Sequence, residues 1–415
     1  MVIVRRPKVC IIQYNSSRFL TRVDRSARAL GEAGYDVVLI AIKDGETPAF
    51  EERPGYVVKR VELRSRRLTP EYGLRVLRFI EAIWRTYRAA MAERADIYDA
   101  RDLFPLLVAH RAAHRRHAKL VYDSDELNLD RNWAWSRNAL LRRLVRAYEG
   151  RYIRRSDAVI TTDVGRADIL ESEYRIPRPT VVLNVPDVIE KLEPDEDFRE
   201  TAIKGRKYLL IYQGGLVANR GLAESIVAMR ELPDCAVAMV GLGNITDDLR
   251  ELIEREGLRG QVTIFDPVPF PRMMRYTAAA DVGLIPIVGS CLSYVYAAPN
   301  KLFEDMMAAI PVAASDLPDM AAVVRAERVG TLIEDPTDPA SIARAVRELL
   351  DGTESLEEIG ARARQAALQK YNWRIEKPKQ LDVYARLGSD DRFGRRLETA
   401  DPSVPLPQPG AGEPS

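Results

Sequence analysis

Residues 207–243 read KYLLIYQGGLVANRGLAESIVAMRELPDCAVAMVGLG. KYLLIYQGG (207–215) is an apolar run of strand length that stops at two glycines. LAESIVAMREL (222–232) has helical spacing, and CAVAMVGLG (235–243) is a second apolar strand running into a Gly turn. Continuous apolar strands are buried on both faces, and strand–helix–strand over this length is a parallel βαβ unit. The pattern continues as a helix at 247–258, strands at 261–268 and 281–287, a helix from Asn300, strands at 311–315 and 329–334, and a helix at 338–352.

The N-terminal half shows the same alternation. VCIIQY (9–14), DVVLIAI (36–42), YVVKRVEL (56–63), DIYDARD (96–102), KLVYDSD (119–125), AVITTD (158–163) and TVVLNVP (180–186) read as strands, with helices at 21–35 and 105–117 between them. Acid-rich DVIEKLEPDEDFRE (187–200) interrupts the rhythm and reads as a linker or domain edge. The fold class is therefore α/β, with two Rossmann-like doubly wound halves. The expected boundaries are 1–186, a linker at 187–206, 207–373, C-terminal helices at 374–395 packing back on the first half, and a Pro/Gly/Ser-rich disordered tail at 396–415. Ligands of open α/β sheets bind beyond the carboxyl ends of the strands. That rule directs the search to the loops after 14, 102, 125, 163, 184, 215, 243, 268 and 287.

Composition narrows the class. Apolar residues are 46% of the 415, enough for a core in each half. The formal net charge of +1 conceals a division: residues 1–200 hold 37 basic against 31 acidic side chains, and the remainder 25 against 30. Three scattered cysteines (Cys10, Cys235, Cys291) suit a reducing compartment and lack metal-ligand spacing. His110, His114 and His117 share one basic helix with no acid beside them, which reads as a solvated face rather than a metal site. The opening MVIVRRPKVCIIQY is not patterned as a signal peptide, and no apolar run is long enough to span a bilayer. The expected location is cytoplasmic, with peripheral contact at the inner membrane face as a further expectation. It comes from two Arg-rich amphipathic segments. Residues 64–94 hold eight basic side chains against three acids, and 137–155 hold seven against one. Ordinary amphipathic helices with a solvated face have the same pattern. No nucleic-acid module accompanies the charge.

Two loops carry candidate chemistry. VGSCLSYVYAAPNKLFE (288–304) feeds a helix near Asn300, whose start offers unpaired N–H groups suited to phosphate. Lys301 adds a cation, and Glu304 sits one turn later among Leu302, Phe303, Met306 and Met307. Its carboxylate suits two vicinal ribose hydroxyls, and it equally suits the first turn of a helix for dipole reasons. In GGLVANRGL (214–222) the glycines let backbone approach a ligand, and Arg220 suits a diphosphate; a turn with a solvated arginine fits as well. Gly241 and Gly243 repeat the design but lack the third glycine of a dinucleotide fingerprint, which disfavours an NAD-dependent oxidoreductase.

The segment Gly214–Gly221, the turn MVGLGN, the stretch FDPVPFPRMMRYTAAADVGLIPI, the run APNKLFEDMMAAIPVAAS and the late YNW (371–373) occur in that order. Together they resemble the donor domain of retaining glycosyltransferases of family 4, whose fold is GT-B: two facing Rossmann-like domains with a cleft between them. RVDRSARALGEAGYDVVLIA, DIYDARD and KLVYDSDE resemble the first half of that family. The resemblance implies a nucleotide-diphosphate sugar donor of UDP or GDP type, no obligatory metal or other cofactor, and an acceptor that is a small molecule, a glycan or lipid-linked. It places Arg220 and Lys301 on the diphosphate and Glu304 on the ribose. Gly214, Gly215, Gly241, Gly243, Asn300 and Leu302 lie around the donor, and the backbone near Val268 and Pro269 meets the base. It places Tyr14, Asn15, Arg101, Asp102, Asp125 and Asn184 on the acceptor side, where Asp125 or Glu126 would orient an acceptor hydroxyl. Those two acids would otherwise serve as a helix N-cap and first-turn acid.

The chain departs from the family pattern in three places. Tyr296 stands eight positions before Glu304, where many members carry another glutamate. Gly215 stands where many carry arginine, and Asp125 and Arg101 stand where many carry histidine. The Asp-x-Asp at 123–125 lies at a strand end of the other half and is not read as a metal site. Retention through front-face attack is the expected mechanism. Sugar-nucleotide epimerases of the same architecture and a non-catalytic sugar-nucleotide binder are the rival readings.

Overall fold

A computed structural model describes residues 6–17, 21–67, 75–132, 136 and 138–388. It contains two sheets. The first has eight strands, β1 (Lys8–Ile12), β2 (Asp36–Ile42), β3 (Phe50–Arg53), β4 (Tyr56–Val61), β5 (Ile97–Arg101), β6 (Lys119–Ser124), β7 (Ala158–Thr161) and β8 (Thr180–Val181), in the order β3-β4-β2-β1-β5-β6-β7-β8. β1 pairs in parallel with both β2 and β5, so the order reverses between β1 and β5. β3, absent from the sequence reading, is an antiparallel edge strand turned back on β4 through Gly55, which has the left-handed φ of 83° that glycine tolerates.

The second sheet has six strands, β9 (Tyr208–Gln213), β10 (Cys235–Val240), β11 (Val262–Phe265), β12 (Val282–Ile285), β13 (Val312–Ser315) and β14 (Gly330–Ile333), all parallel, in the order β11-β10-β9-β12-β13-β14. This is the doubly wound order, and its switch point lies between β9 and β12. The period of two explains the apolar runs. In β9, Leu210 and Tyr212 join the core on one face while Leu209 and Ile211 join the core on the other. In β10, Val237 and Met239 alternate with Ala236 and Ala238 in the same way. Each large apolar side chain buried so contributes about 1.5–3 kcal/mol.

The chain divides into two compact units. One holds residues up to Asp123, Arg155–Ala158 and the chain from Gln380 onward; the other holds Ser124–Arg154 and Val159–Lys379. The expected first domain, 1–186, thus contributes residues to both units. Within the expected linker, Glu196–Ile203 is a helix. Asp195 caps it by accepting from the Phe198 N–H, and the Phe198 ring stacks on Tyr276 at 3.9 Å. Its acidic composition concealed one buried aromatic anchor. In the first unit, the end of the helix Trp373–Gly388 is tied down by Ser26 donating to Gln380 (2.7 Å) and Tyr384 donating to Asp99 (2.8 Å). The tail expected to be disordered, 396–415, lies outside the described residues.

Candidate active site

At the switch point of the second sheet, β9 ends at Gln213 and the chain turns through Gly214 and Gly215. The glycines have different jobs. A Cβ on Gly241 would stand 1.9 Å from the Gly214 carbonyl oxygen, and one on Gly243 would stand 1.9 Å from that of Leu216. A Cβ on Gly221 would stand 2.3 Å from the Pro286 oxygen. These three permit backbone to lie against backbone, a role that Gly241 and Gly243 have beside the expected approach to a ligand. Of the predicted four, Gly214 and Gly215 have room for a Cβ at ordinary contact, 3.5 Å from the Lys301 ammonium and 3.8 Å from Val217 respectively; Gly214 has the left-handed φ of 127°. The loops after β9 and β12 are joined by the Val288 N–H donating to the Asn219 carbonyl (3.1 Å).

The helix Asn300–Met307 follows Pro299 with no side-chain cap. Lys301 is 7% exposed, and its ammonium lies over the Tyr212 ring at 4.1 Å from the centroid. The Tyr212 hydroxyl is in turn fixed by donating to the Gly215 carbonyl (3.0 Å). The ammonium would be 3.5 Å from a Cβ on Gly214, so the cation sits directly behind the glycine turn. Among the described residues Lys301 has no hydrogen bond or ion pair. Its charge acts on the Asp305 carboxyl, and an anion arriving at the glycine turn would give it a direct ion pair.

Arg220 has a similar design. Its guanidinium stacks over Tyr294 at 4.5 Å and makes no ion pair among the described residues. Tyr294 belongs to a short helix, Leu292–Val295, inside what the sequence presented as a continuous loop.

Glu304 is buried and held from two sides. Asn300 donates to one carboxylate oxygen (2.8 Å) and the Gln213 amide to the other (3.2 Å). The same amide donates to Asp305 (3.2 Å), while the Gln213 oxygen accepts from Thr277 (2.9 Å). Asp305 lies over Gly283, where a Cβ would be 2.2 Å from its carboxylate oxygen. Burial, followed by the neighbouring Glu304 charge, pushes the Asp305 carboxyl well above the usual range, with Lys301 opposing. Gln213, Asp305, Thr277, Tyr212 and Tyr294 were all missed. The signal for Gln213 was available: it is the polar last residue of a buried strand. Leu302 is wholly buried and offers the site only its backbone. Val268 packs against the core around Phe198, and Pro269 begins the next helix, Phe270–Ala278.

In the same unit, Glu126 pairs with Arg131 (2.6 Å) and accepts a long hydrogen bond from Ser293 (3.5 Å). The chain then enters a 3-10 turn, Asn128–Asp130, with Leu127 at the cap, so neither Asp125 nor Glu126 caps an α-helix. The Asp125 carbonyl accepts from Arg166, which also donates to the Ser293 carbonyl (2.8 Å). Asp163 accepts from the Ala298 N–H (2.8 Å) and pairs with Arg166 (3.0 Å). These two residues brace the approach to Asn300. Tyr296 does not replace the family's acid chemically: its ring packs where a side chain on Gly165 would be, 2.1 Å from that Cβ. Asn184 is half-buried after β8.

The first unit departs further from expectation. Arg101 is buried, not presented to an acceptor, because it is locked between Asp99 and Asp123. Arg22 also pairs with Asp123 (2.9 Å). Burial raises Asp123, but Arg101 and Arg22 outweigh it and hold the carboxyl below its usual value. Burial dominates at Asp99, which is raised despite Arg101. Asp123 is therefore spent in a salt cluster, and no metal-holding group of acids, histidines or cysteines occurs among the described residues. Asp102 takes a left-handed φ of 71° at the turn after β5. Tyr14 is pushed up to about 12 by burial and bonds Thr86 at 3.0 Å. Asn15 accepts from Gln13 (2.7 Å) and from the Ser17 N–H (3.0 Å).

Comparison with known proteins agrees with this geometry. The sequence profile "Glycosyl transferases group 1" matches residues 193–366, and "Glycosyl transferase 4-like domain" matches 20–185. A D-inositol 3-phosphate glycosyltransferase of Xylanimonas cellulosilytica is 25% identical over 256 residues, 57% of this chain and 59% of that protein. The matched stretches cover between 33% and 59% of the curated relatives' own lengths. Among solved structures, sucrose-phosphate synthase of Thermosynechococcus elongatus superposes with a TM-score of 0.77 at 17% identity, covering 92% of this chain and 99% of that one. Anabaena HepE, solved with UDP and glucose, superposes with a TM-score of 0.68 at 15% identity, covering 91% and 99%. With both halves matched in order and the doubly wound sheets in place, the chain belongs to the family-4-like glycosyltransferases of GT-B fold.

Proposed function

We propose that the protein transfers a sugar from a nucleotide-diphosphate donor to an acceptor hydroxyl, with retention at the anomeric carbon. Lys301 carries the proposal, as a largely buried side chain behind the glycine turn at the switch point of the second sheet, whose ammonium makes no ion pair among the described residues. An anionic diphosphate supplies the missing counter-charge, and Arg220 adds a second cation on a rigid aromatic support. Glu304, held by Asn300 and Gln213, accepts from the ribose hydroxyls. The donor domain then stabilises the departing nucleoside diphosphate through its own cations, without an obligatory metal. The C1–O bond to phosphate breaks through an oxocarbenium-like state. The acceptor oxygen bonds C1 on the same face, and its proton passes to the departing phosphate. The Anabaena structure with UDP supports a uridine nucleotide as the first to try, with guanosine nucleotides beside it.

The test is thermal stabilisation against nucleoside diphosphates and their sugars. At a hundredfold excess over Kd a ligand adds about 2.7 kcal/mol of stability. A shift with one base, lost in Glu304→Ala and Arg220→Ala, supports the donor site. No shift with any nucleotide from a folded protein sinks it. Binding without transfer to any acceptor would favour the non-catalytic alternative. A β-linked product from an α-configured donor would overturn retention.

A further inference from the structure

The helix Arg75–Glu93 buries Ala82, Thr86 and Ala90 and turns a different face to solvent. On that face Leu77, Ile80 and Trp84 recur at steps of three and four, and are 52%, 55% and 52% exposed. Val76 beside them is 71% exposed. A single exposed leucine needs no explanation, but four large apolar side chains on adjoining turns form a patch.

The surrounding charge is cationic. Of the acids in this segment, Glu93 is paired with Lys8 (3.0 Å) and Lys59 (2.7 Å). Glu81 is taken up by the backbone N–H groups of Arg64 and Ser65 and by Arg85 (2.6 Å). Those hydrogen bonds overcome its burial and bring its carboxyl down to about 2. Arg88 remains on the exposed face with its guanidinium over the Trp84 ring at 4.8 Å. A tryptophan carrying a cation at its rim suits the boundary between headgroups and acyl chains. The apolar surface also continues inward. Phe79 meets Phe104 edge-on at 5.6 Å and Tyr14 at 6.4 Å, and these two lie just past the ends of β5 and β1.

We propose that this face docks on an anionic lipid bilayer, with Leu77, Ile80 and Trp84 entering the headgroup–acyl boundary and Arg88 meeting lipid phosphates. The aromatic run Phe79–Phe104–Tyr14 then offers an apolar path from lipid to the strand ends of the first sheet. No described helix is long and apolar enough to cross a membrane, so the contact is peripheral. A second copy of the chain would cover the same apolar side chains, but a symmetric pairing would bring the Arg88 cations of both copies to one interface. Anionic lipid removes that conflict.

The experiment is co-sedimentation of the full chain with vesicles of phosphatidylcholine containing about one-third phosphatidylglycerol, and with pure phosphatidylcholine. The expected result is binding to the anionic vesicles that is at least about tenfold stronger than to neutral ones and falls with added salt. A Leu77→Ser/Ile80→Ser/Trp84→Ser variant should lose it, and Arg88→Glu should weaken it on anionic vesicles alone. Absence of binding by the wild-type chain, or equal binding by the triple variant, overturns the proposal. So does a change of oligomeric state in that variant with vesicle binding intact, which would assign the face to self-association. Nucleoside diphosphate stabilisation is measured on the same samples. A chain that binds nucleotide but no vesicle loses the lipid surface and keeps its donor site.

Discussion

The strand ends of the two sheets handle charge in opposite ways. At the ends of β5 and β6, Arg101 and Asp123 join Arg22 and Asp99 in a buried cluster in which each cation faces an acid. Beyond β9 and β12, Lys301 and Arg220 face tyrosine rings and have no ion pair among the described residues. Both regions bear cations where an α/β sheet binds ligands. Only the second leaves them without an ion pair among the described residues. Pairing marks a charge that holds the fold, and a missing partner marks a charge held for something that arrives.

That contrast can be broken at its strongest point first. Arg101→Ala leaves Asp99 and Asp123 buried without their shared cation, and should lower stability by about 3–5 kcal/mol in denaturant unfolding. A loss under about 1 kcal/mol would mean the cluster is not structural. Lys301→Met should do the reverse. It removes a cation that makes no ion pair among the described residues, so the free protein should change in stability by less than about 1 kcal/mol. Nucleoside diphosphate affinity should fall by about 1.5–3 kcal/mol, roughly tenfold or more, by calorimetry. Equal losses of stability in both variants would erase the distinction.

The glycines sharpen the same comparison. Gly241→Ala forces apart two backbones that would approach to 1.9 Å and should cost about 1–3 kcal/mol of stability. Gly215→Ala meets only an ordinary contact with Val217 and should leave unfolding within about 0.5 kcal/mol, with any effect appearing in nucleotide binding. One further effect is pH-dependent. Burial, with Glu304 beside it, raises Asp305, so the folded chain keeps a proton that the unfolded chain has released. The stability linked to that proton is present in acid and is lost as pH rises above the unfolded value. Asp305→Asn removes the titration. It should melt higher than wild type at about pH 8, by on the order of 1 kcal/mol, and lose the advantage near about pH 4. A pH-independent difference would show that Asp305 does not titrate in this way.

Much of this was legible in the residues. The strand Asp36–Ile42 and the helix beginning at Asn300 fall where the apolar runs and Pro299 put them. Lys301 and Glu304 stood out because ionic residues interrupt an apolar helix. Elements with weak periodicity went unread: the four-residue edge strand Phe50–Arg53, the helix Pro318–Glu327, and the acidic helix anchored by Phe198. Arg101 was expected on the acceptor side from the family resemblance, which says nothing of the acids that surround it in this chain.

The sequence by itself determined the doubly wound pattern and the positions of the cations at the strand ends, and its ordered motifs carried the family resemblance. The pattern depends on periods of two and of three to four residues, which are local. Only the tertiary structure decided which cation is neutralised, which glycine is filled by another backbone, and which carboxyl keeps its proton. Each depends on groups brought together from distant parts of the chain, such as Gln213 and Glu304 or Arg22 and Asp123. Electrostatic energies are set by separation and burial in space.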